Sequence, residues 1–280
     1  MNIARDNIKP LLKWVGGKRQ LLPDIHAALP AEGFSHYVEP FLGGGAVLFS
    51  LLPARATVGD LNTELINVYL TVRDHVDELI GLLSTYPNEE KFFYDMRQLD
   101  REPSFAHMTA VERAARTIYL NKTCFNGLYR VNNAGQFNAP FGRYANPAIC
   151  DEPTLRAVSA YLREQDIQFH NGDYAAVLAT AGPGDFVYLD PPYDPVNPTS
   201  NFTGYQSGGF GRADQIRLKE ACDDLDARGV RFLLSNSATD FIQQLYSGYR
   251  VEIVEATRAV NSVASKRGKV EEVLVRNYGR

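Results

Sequence analysis

Apolar and polar positions follow two rhythms along this chain. Near the start, Tyr37-Val38-Glu39 reads as a short strand entering Pro40-Phe41-Leu42-Gly43-Gly44-Gly45. Ala46 to Leu52 reads as a helix ended by Pro53, and Ala56-Thr57-Val58-Gly59 as a second strand stopping at Asp60. Strand, glycine loop, helix and strand in that order open a parallel α/β sheet. The same rhythm returns late. Ile167-Gln168-Phe169 predicts a strand, and Phe186-Val187-Tyr188-Leu189 a buried one that runs into Asp190-Pro191-Pro192-Tyr193. Ala213 to Ala227 predicts a helix ended by Arg228-Gly229, and Val230 to Leu234 a strand entering Ser235-Asn236-Ser237. Tyr249, Val251 and Ile253 then alternate with less apolar neighbours, and Val270 to Tyr278 is strand-like; antiparallel closing strands fit both.

Between these halves the period changes. Leu61, Leu65, Val68 and Val72 fall at helical spacing. Thr109-Ala110-Val111-Glu112 has the form of a capping box and opens a helix with Val111, Ala115, Ile118 and Tyr119 on one face. Asn121 to Pro147 follows, rich in Asn, Gly and aromatic residues and without a period. A long irregular segment inside a compact domain is usually functional. The chain therefore divides into a discontinuous α/β domain, 1–61 with 152–280, and an inserted unit over 62–151.

Composition narrows the class. The 280 residues are 45% hydrophobic, which suits a globular core and excludes disorder. No window approaches the ~20 apolar residues of a membrane span, and Met1 to Pro10 lacks a signal-type apolar run. Cys124, Cys150 and Cys222 fit neither a disulfide framework nor a zinc pattern, so a reducing, cytoplasmic setting is expected. The five histidines show no ligand spacing, and no metal is expected. The net charge of −4 speaks against a polyanionic partner until its distribution is read. Asn121 to Cys150 has no acid but carries Lys122, Arg130 and Arg143. Ala256 to Val270 has none against Arg258, Lys266, Arg267 and Lys269, and the start sets Lys9, Lys13, Lys18 and Arg19 against Asp6. Three such stretches can form one face for a nucleic acid.

Two loops carry candidate chemistry. The glycines after the first strand let backbone approach a ligand closely. Asp60 ends the next strand, fifteen residues beyond Gly45, where a carboxylate can take the hydroxyls of a ribose. The third glycine of a dinucleotide fingerprint is replaced by Leu48, and no Gly-Lys-Ser/Thr follows, so the ligand reads as a nucleoside. In the second loop, Pro191 and Pro192 hold the chain rigid and fix Asp190 and Tyr193 at a strand's carboxyl end. The Asp190 carboxylate and a backbone carbonyl of Asp190 or Pro191 would converge on an amino group. They would draw its protons and free its lone pair for attack, while Tyr193 offers a ring face to a base.

Together these residues resemble the Dam-type DNA adenine-N6 methyltransferases, in the family's order over most of the chain. Leu12-Lys13-Trp14-Val15-Gly16-Gly17-Lys18 is similar to the family's first S-adenosylmethionine-binding segment, and Glu39 to Gly45 to its glycine loop. Gly59-Asp60-Leu61-Asn62 is similar to its ribose-binding strand end, and Asp190-Pro191-Pro192-Tyr193 to its catalytic loop. Asn121 to Tyr144 resembles the DNA-reading region of members that methylate GATC. The resemblance implies a Rossmann-like S-adenosylmethionine-dependent α/β sheet with an inserted, mainly helical recognition domain. It implies cofactor contacts from Trp14, Lys18, Phe41, Gly43, Gly45, Asp60, Asp173 and Asp190. It implies catalysis by Asp190, Pro191, Pro192 and Tyr193, and DNA contacts from Lys13, Phe125, Asn126, Leu128, Arg130, Pro140 and Tyr144. The partner would be double-stranded DNA and the protein a monomer. A C5-cytosine mechanism is excluded, since none of the three cysteines follows a proline. Methyl transfer to cytosine N4, RNA or a protein glutamine, or a non-catalytic nucleoside- or DNA-binding module, are the alternatives; Asp rather than Ser or Asn at 190 favours adenine.

Overall fold

The computed structural model describes residues 7–196, 209–257 and 269–279. Among these residues seven strands form one sheet: β1 Tyr37–Glu39, β2 Arg55–Asp60, β3 Asp166–Asn171, β4 Phe186–Leu189, β5 Arg231–Ser237, β6 Arg250–Thr257 and β7 Lys269–Arg276. Their order is β3-β2-β1-β4-β5-β7-β6. The first five run parallel, and β7 enters antiparallel to both β5 and β6, as the closing strands predict. From β1 the chain builds outward to β2 and β3, then returns to place β4 on β1's other side. The carboxyl ends of β1 and β4 therefore diverge around a crevice, the point where open parallel sheets bind ligands.

Among the described residues ten α-helices accompany the sheet: α1 Leu22–Ala27, α2 Ala46–Leu51, α3 Thr63–Asp74, α4 Val76–Leu83, α5 Glu90–Gln98, α6 Ala110–Thr123, α7 Glu152–Glu164, α8 Tyr174–Leu178, α9 Arg212–Ala227 and α10 Asp240–Leu245. Alternation along the strands divides the core into two layers. Tyr37, Phe186, Tyr188 and Leu233 pack with residues of α1 to α4, α6 and α7. Val38, Val187, Leu189, Phe232 and Leu234 pack with α8, α9 and α10 on the opposite face. The molecule is thus a mixed α/β fold of helix, sheet and helix layers.

The segment 62–151 is shared between cores. Leu65, Val68, Val72, Leu79, Ala115 and Ile118 belong to the cluster under the sheet. Phe93, Met96, Tyr119, Leu120, Cys124, Tyr129, Phe137 and Ala139 form a separate, smaller cluster. Helix α6 has buried residues in both. Its capping box is present: the Thr109 hydroxyl accepts from Glu112 N, and the Glu112 carboxylate accepts from Thr109 N at 2.7 Å. Leu61 departs from the expected apolar stripe and is 51% exposed. Asn62 is the reason, because its side chain accepts from Leu65 N and caps α3 one residue past Leu61. The aperiodic stretch after α6 has order of its own. Isolated bridges join Cys124 to Phe141 and Val131 to Phe137, so the chain from 124 to 141 doubles back as an irregular hairpin.

Candidate active site

The crevice at the ends of β1 and β4 is walled by Trp14, Lys18, Glu39, Leu42, Gly43 and Asp190, among others. Local sequence shapes each wall. Gly45 sits at φ +70° as the N-cap of α2, and a Cβ there would lie 2.8 Å from the Phe49 ring. At Gly43 a Cβ would lie 2.9 Å from the Trp14 indole. A side chain at Gly43 would crowd the indole beside the crevice, and one at Gly45 would be strained and driven against Phe49 and Tyr69.

Asp190 gathers several polar partners at the crevice. Its Oδ1 receives Lys18 Nζ at 2.7 Å and the Ser235 hydroxyl at 3.1 Å. Lys18 is 6% exposed; its ammonium also donates to Gly16 O and lies 4.6 Å from the centre of the Tyr193 ring. Burial pushes the Asp190 carboxyl above its usual range, while the Lys18 ammonium pulls it back. Tyr193 donates from its hydroxyl to Glu272 Oε2 on β7 at 2.7 Å. The first basic stretch is thereby corrected at one position: Lys18 points into the crevice and is no solvated phosphate contact.

Glu39, at the end of β1, is a wall residue that the expected cofactor set omits. It is 2% exposed and accepts from the Tyr37 hydroxyl at 2.9 Å. Burial raises its carboxyl well above the ordinary range, and the Asp190 and Asp60 carboxylates add to that. An acid at the carboxyl end of a fully buried strand is the signal that could have found it. A raised folded-state pKa favours folding below the unfolded value, and that contribution is lost as pH rises through the folded value. Glu39→Gln removes the titration. The variant is therefore expected to gain stability over the native protein as pH climbs out of the ordinary carboxyl range; thermal melts in a pH series check this, and a difference independent of pH refutes it.

The remaining expected cofactor residues have other partners. Both Asp60 oxygens accept backbone N–H groups, from Gly43 at 2.9 Å and Asn62 at 2.8 Å. Asp60 thus ties the glycine loop to the end of β2, and any ribose would have to use its remaining lone pairs. Phe41 packs against Tyr174 and Phe210. Asp173 caps α8 through Ala175 N and forms a two-pronged ion pair with Arg217 at 2.7 and 2.9 Å. Those bonds hold its carboxyl below the usual range and away from the described crevice wall.

The segment resembling a DNA-reading region adjoins this site. Trp14 stacks on Tyr129 with centroids 4.9 Å apart. The Lys13 backbone is clasped by Asn121, whose Oδ1 accepts from Lys13 N at 3.0 Å and whose Nδ2 donates to Lys13 O at 2.8 Å. On the hairpin, Phe125 is 54% exposed and bonds through its N–H to Pro140 O. Asn126 is exposed at φ +60°, Leu128 is half-buried, and Arg130 lies exposed with Nε on Asn138 Oδ1 at 2.7 Å. Tyr144 is 37% exposed, and its carbonyl accepts from Asn88. The residues expected to touch DNA, Lys13 included, thus lie on or against one hairpin. Arg258, Lys266 and Arg267 fall outside the described residues.

Cys124 and Cys222 are buried, and burial pushes the Cys124 thiol up to about 12. His36 is a core histidine bridging Asp185 and Thr57. Among the described residues no cluster of three or more His, Cys, Asp and Glu could hold a metal, and no helix is long and apolar enough to cross a membrane.

Known proteins share this arrangement in sequence. The pattern of the D12 class N6 adenine-specific DNA methyltransferases matches residues 14–260. The type II methyltransferase M1.LlaDCHI of Lactococcus lactis is 44% identical over 98% of this chain and 96% of its own length. The type II methyltransferase M.MjaIII of Methanocaldococcus jannaschii is 42% identical over 97% and 99%. The DNA adenine methylase of Escherichia coli is 33% identical over 95% and 94%. With these matches spanning both the crevice and the hairpin, the chain belongs to the D12 class of N6 adenine-specific DNA methyltransferases.

Proposed function

We propose that this protein transfers the methyl group of S-adenosylmethionine to N6 of an adenine in duplex DNA, at GATC, with the adenine turned out of the stack. The observation that carries this reading is the Asp190 carboxylate at the crevice floor, with Tyr193 beside it and glycine backbone opposite. The crevice suits a nucleoside donor: glycines leave room beside Trp14, and the Glu39 and Asp190 carboxyl groups offer hydrogen-bonding oxygens at the wall. Trp14, Lys18, Gly43 and Glu39 would hold the donor, with Phe41, Gly45 and Asp60 shaping the loop behind them; Asp173 keeps only a peripheral part. When bound, the donor supplies an activated methyl on a sulfonium.

The chain's own residues prepare the acceptor. One Asp190 oxygen is committed to Lys18 and Ser235, and the other is the acceptor for an N6 proton. The Pro191 carbonyl adds a second acceptor, and Pro192 keeps the loop extended. The Tyr193 ring, its hydroxyl anchored on Glu272, stacks the base. Because an adenine inside a duplex cannot reach this loop, it must leave the stack. Phe125 fills the gap. Asn126, Leu128, Arg130 and Pro140 read the site, and Lys13 and Tyr144 anchor the backbone. The resemblance of Asn121 to Tyr144 to GATC readers supports that sequence. The hairpin and its supporting small core form the recognition unit, on a body made by the sheet and its two helix layers.

Incubation with labelled S-adenosylmethionine and duplexes with and without GATC tests the reading. N6-methyladenine confined to GATC duplexes is expected. Label in cytosine, RNA or protein refutes the substrate, and binding without product refutes catalysis. The same duplex binds steeply less as salt rises, despite the acidic chain. Burial is the main cause that disfavours the Lys122 charge, with Lys9 and Lys13 adding to it against Asp151, which pairs with Lys9 at 3.3 Å; lysines of two acid-poor stretches thus lie near one another. Each phosphate contact adds ~0.9 to the slope of log K against log salt; a flat response measured by titration would leave these lysines merely solvated.

A further inference from the structure

The carboxyl end of β5, Ser235-Asn236-Ser237, is polar and yet fully enclosed, with exposures of 0%, 0% and 1%. Polar side chains are costly to bury unless each is bonded, and a fully bonded network fixes a unique geometry. Several side-chain bonds of these residues and of their neighbour Gln215 lead to the loop that begins at Asp190. Ser235 donates to Asp190 Oδ1 and lies 3.0 Å from the Tyr188 hydroxyl behind it. Gln215 of α9, itself 1% exposed, donates to Pro192 O at 2.8 Å and accepts from Asn236 Nδ2 at 3.1 Å. Asn236 Oδ1 accepts from Asp194 N at 3.1 Å, and the Ser237 hydroxyl donates to Asp194 O at 2.7 Å. The loop is gripped at its side chain, its middle carbonyl and its far end.

We propose that Ser235 and Gln215 are positioning residues for methyl transfer: Ser235 aims the Asp190 carboxylate, and Gln215, braced by Asn236, fixes the Pro192 peptide that follows. The inference rests on the adenine N6 reading above. Ser235 takes up one lone pair of the oxygen that also receives Lys18, so the other oxygen is turned consistently toward the crevice. Gln215 occupies the Pro192 carbonyl, which leaves the Pro191 carbonyl as the loop acceptor beside Asp190. The groups that face Asp190 are Lys18 from the N-terminal segment, Glu39 from β1, Tyr188 from β4, Tyr193 from its own loop and Glu272 from β7. Of these only Lys18 favours the ionised carboxylate by charge, and the Ser235 hydroxyl supports it by hydrogen bonding.

Ser235→Ala, Ser235→Thr and Gln215→Met in the full chain test this. Four readouts are needed: kcat with its pH profile, KM for a GATC duplex, Kd for S-adenosylhomocysteine, and melting temperature. Ser235→Ala is expected to lower kcat roughly 10- to 100-fold, the scale of a misplaced reacting group. KM and Kd should stay near native values, and the acid limb of kcat should move to higher pH, because a bond favouring the ionised carboxylate is gone. Ser235→Thr keeps the hydroxyl and restores most of the rate and the native acid limb. Gln215→Met lowers kcat without moving that limb. A native-like kcat and acid limb in Ser235→Ala overturn the proposal. So does a loss of kcat in all three variants that tracks melting temperature and Kd, which marks a merely structural role. A native protein that methylates no adenine defeats the underlying reading itself, and is distinguished by the absence of product before any substitution.

Discussion

Asp190→Asn is expected to abolish methyl transfer with the fold intact, and Asp190→Ala to abolish it with a lower melting temperature as well. The two differ because of Lys18. That ammonium is almost fully enclosed and meets Asp190 at 2.7 Å. Alanine leaves it with a carbonyl and an aromatic face; removing one partner of a fully buried ion pair costs about 3–5 kcal/mol, and here less, since a fifth of the Asp190 side chain is open. Asparagine keeps an oxygen for Lys18 and Ser235 but loses the charge that draws the N6 proton. Rate losses of about a hundredfold or more are typical when a group stabilising developing charge is lost. Steady-state kcat and thermal melts check both variants. If Asp190→Asn kept more than about a tenth of the native kcat, its contribution would be under ~1.4 kcal/mol and the role assigned to it would fail.

The order of elements was readable where burial wrote a simple pattern. The central parallel strands β1 and β4 are enclosed on both faces, so β4 shows as the unbroken run Phe186 to Leu189, and the first closing strand shows as alternation from Tyr249 to Ile253. The capping box of α6 announced itself because two side chains must sit three residues apart. What sequence hid is mostly partnership. Leu61 fits the apolar stripe, but Asn62 beside it is a better cap than a helix interior residue, so Leu61 stays in solvent. Asp60 stands where a ribose carboxylate belongs, yet holding Gly43 and Asn62 is a through-space fact about two loops. Asp173 likewise meets Arg217, forty-four residues away. Spacing cannot express such pairs, and those two positions are where the expected cofactor set is weakest. Lys18, counted among surface cations by charge, is buried because Asp190 and the Tyr193 face give its ammonium a place. The boundary at residue 62 blurs for a similar reason: α3 is amphipathic whichever core it serves, and it serves the one under the sheet.

Arg130→Ala is expected to cost ~1–3 kcal/mol of affinity on GATC duplexes and far less on duplexes altered at one guanine. Arginine pairs with guanine O6 and N7 through two parallel N–H bonds, which requires the guanidinium to arrive flat and aimed. Asn138 supplies that aim. Its Oδ1 accepts from Arg130 Nε at 2.7 Å and its carbonyl from Arg130 Nη2 at 3.2 Å, across a hairpin held by Asn138 N on Arg130 O. Of the five guanidinium N–H groups, those bonds use two and leave the rest for a base edge. The hairpin is itself supported from below: Arg101 Nη2 donates to Phe137 O, and Asp100 accepts from Phe137 N. Lys13→Ala is the comparison, since a phosphate contact weakens binding almost evenly across sequences and lowers the salt slope by about one. Titrations of both variants on matched and altered duplexes separate the two behaviours. Equal losses for Arg130→Ala on every duplex would make Arg130 a phosphate anchor like Lys13, and the reading of guanine would have to move elsewhere on the hairpin.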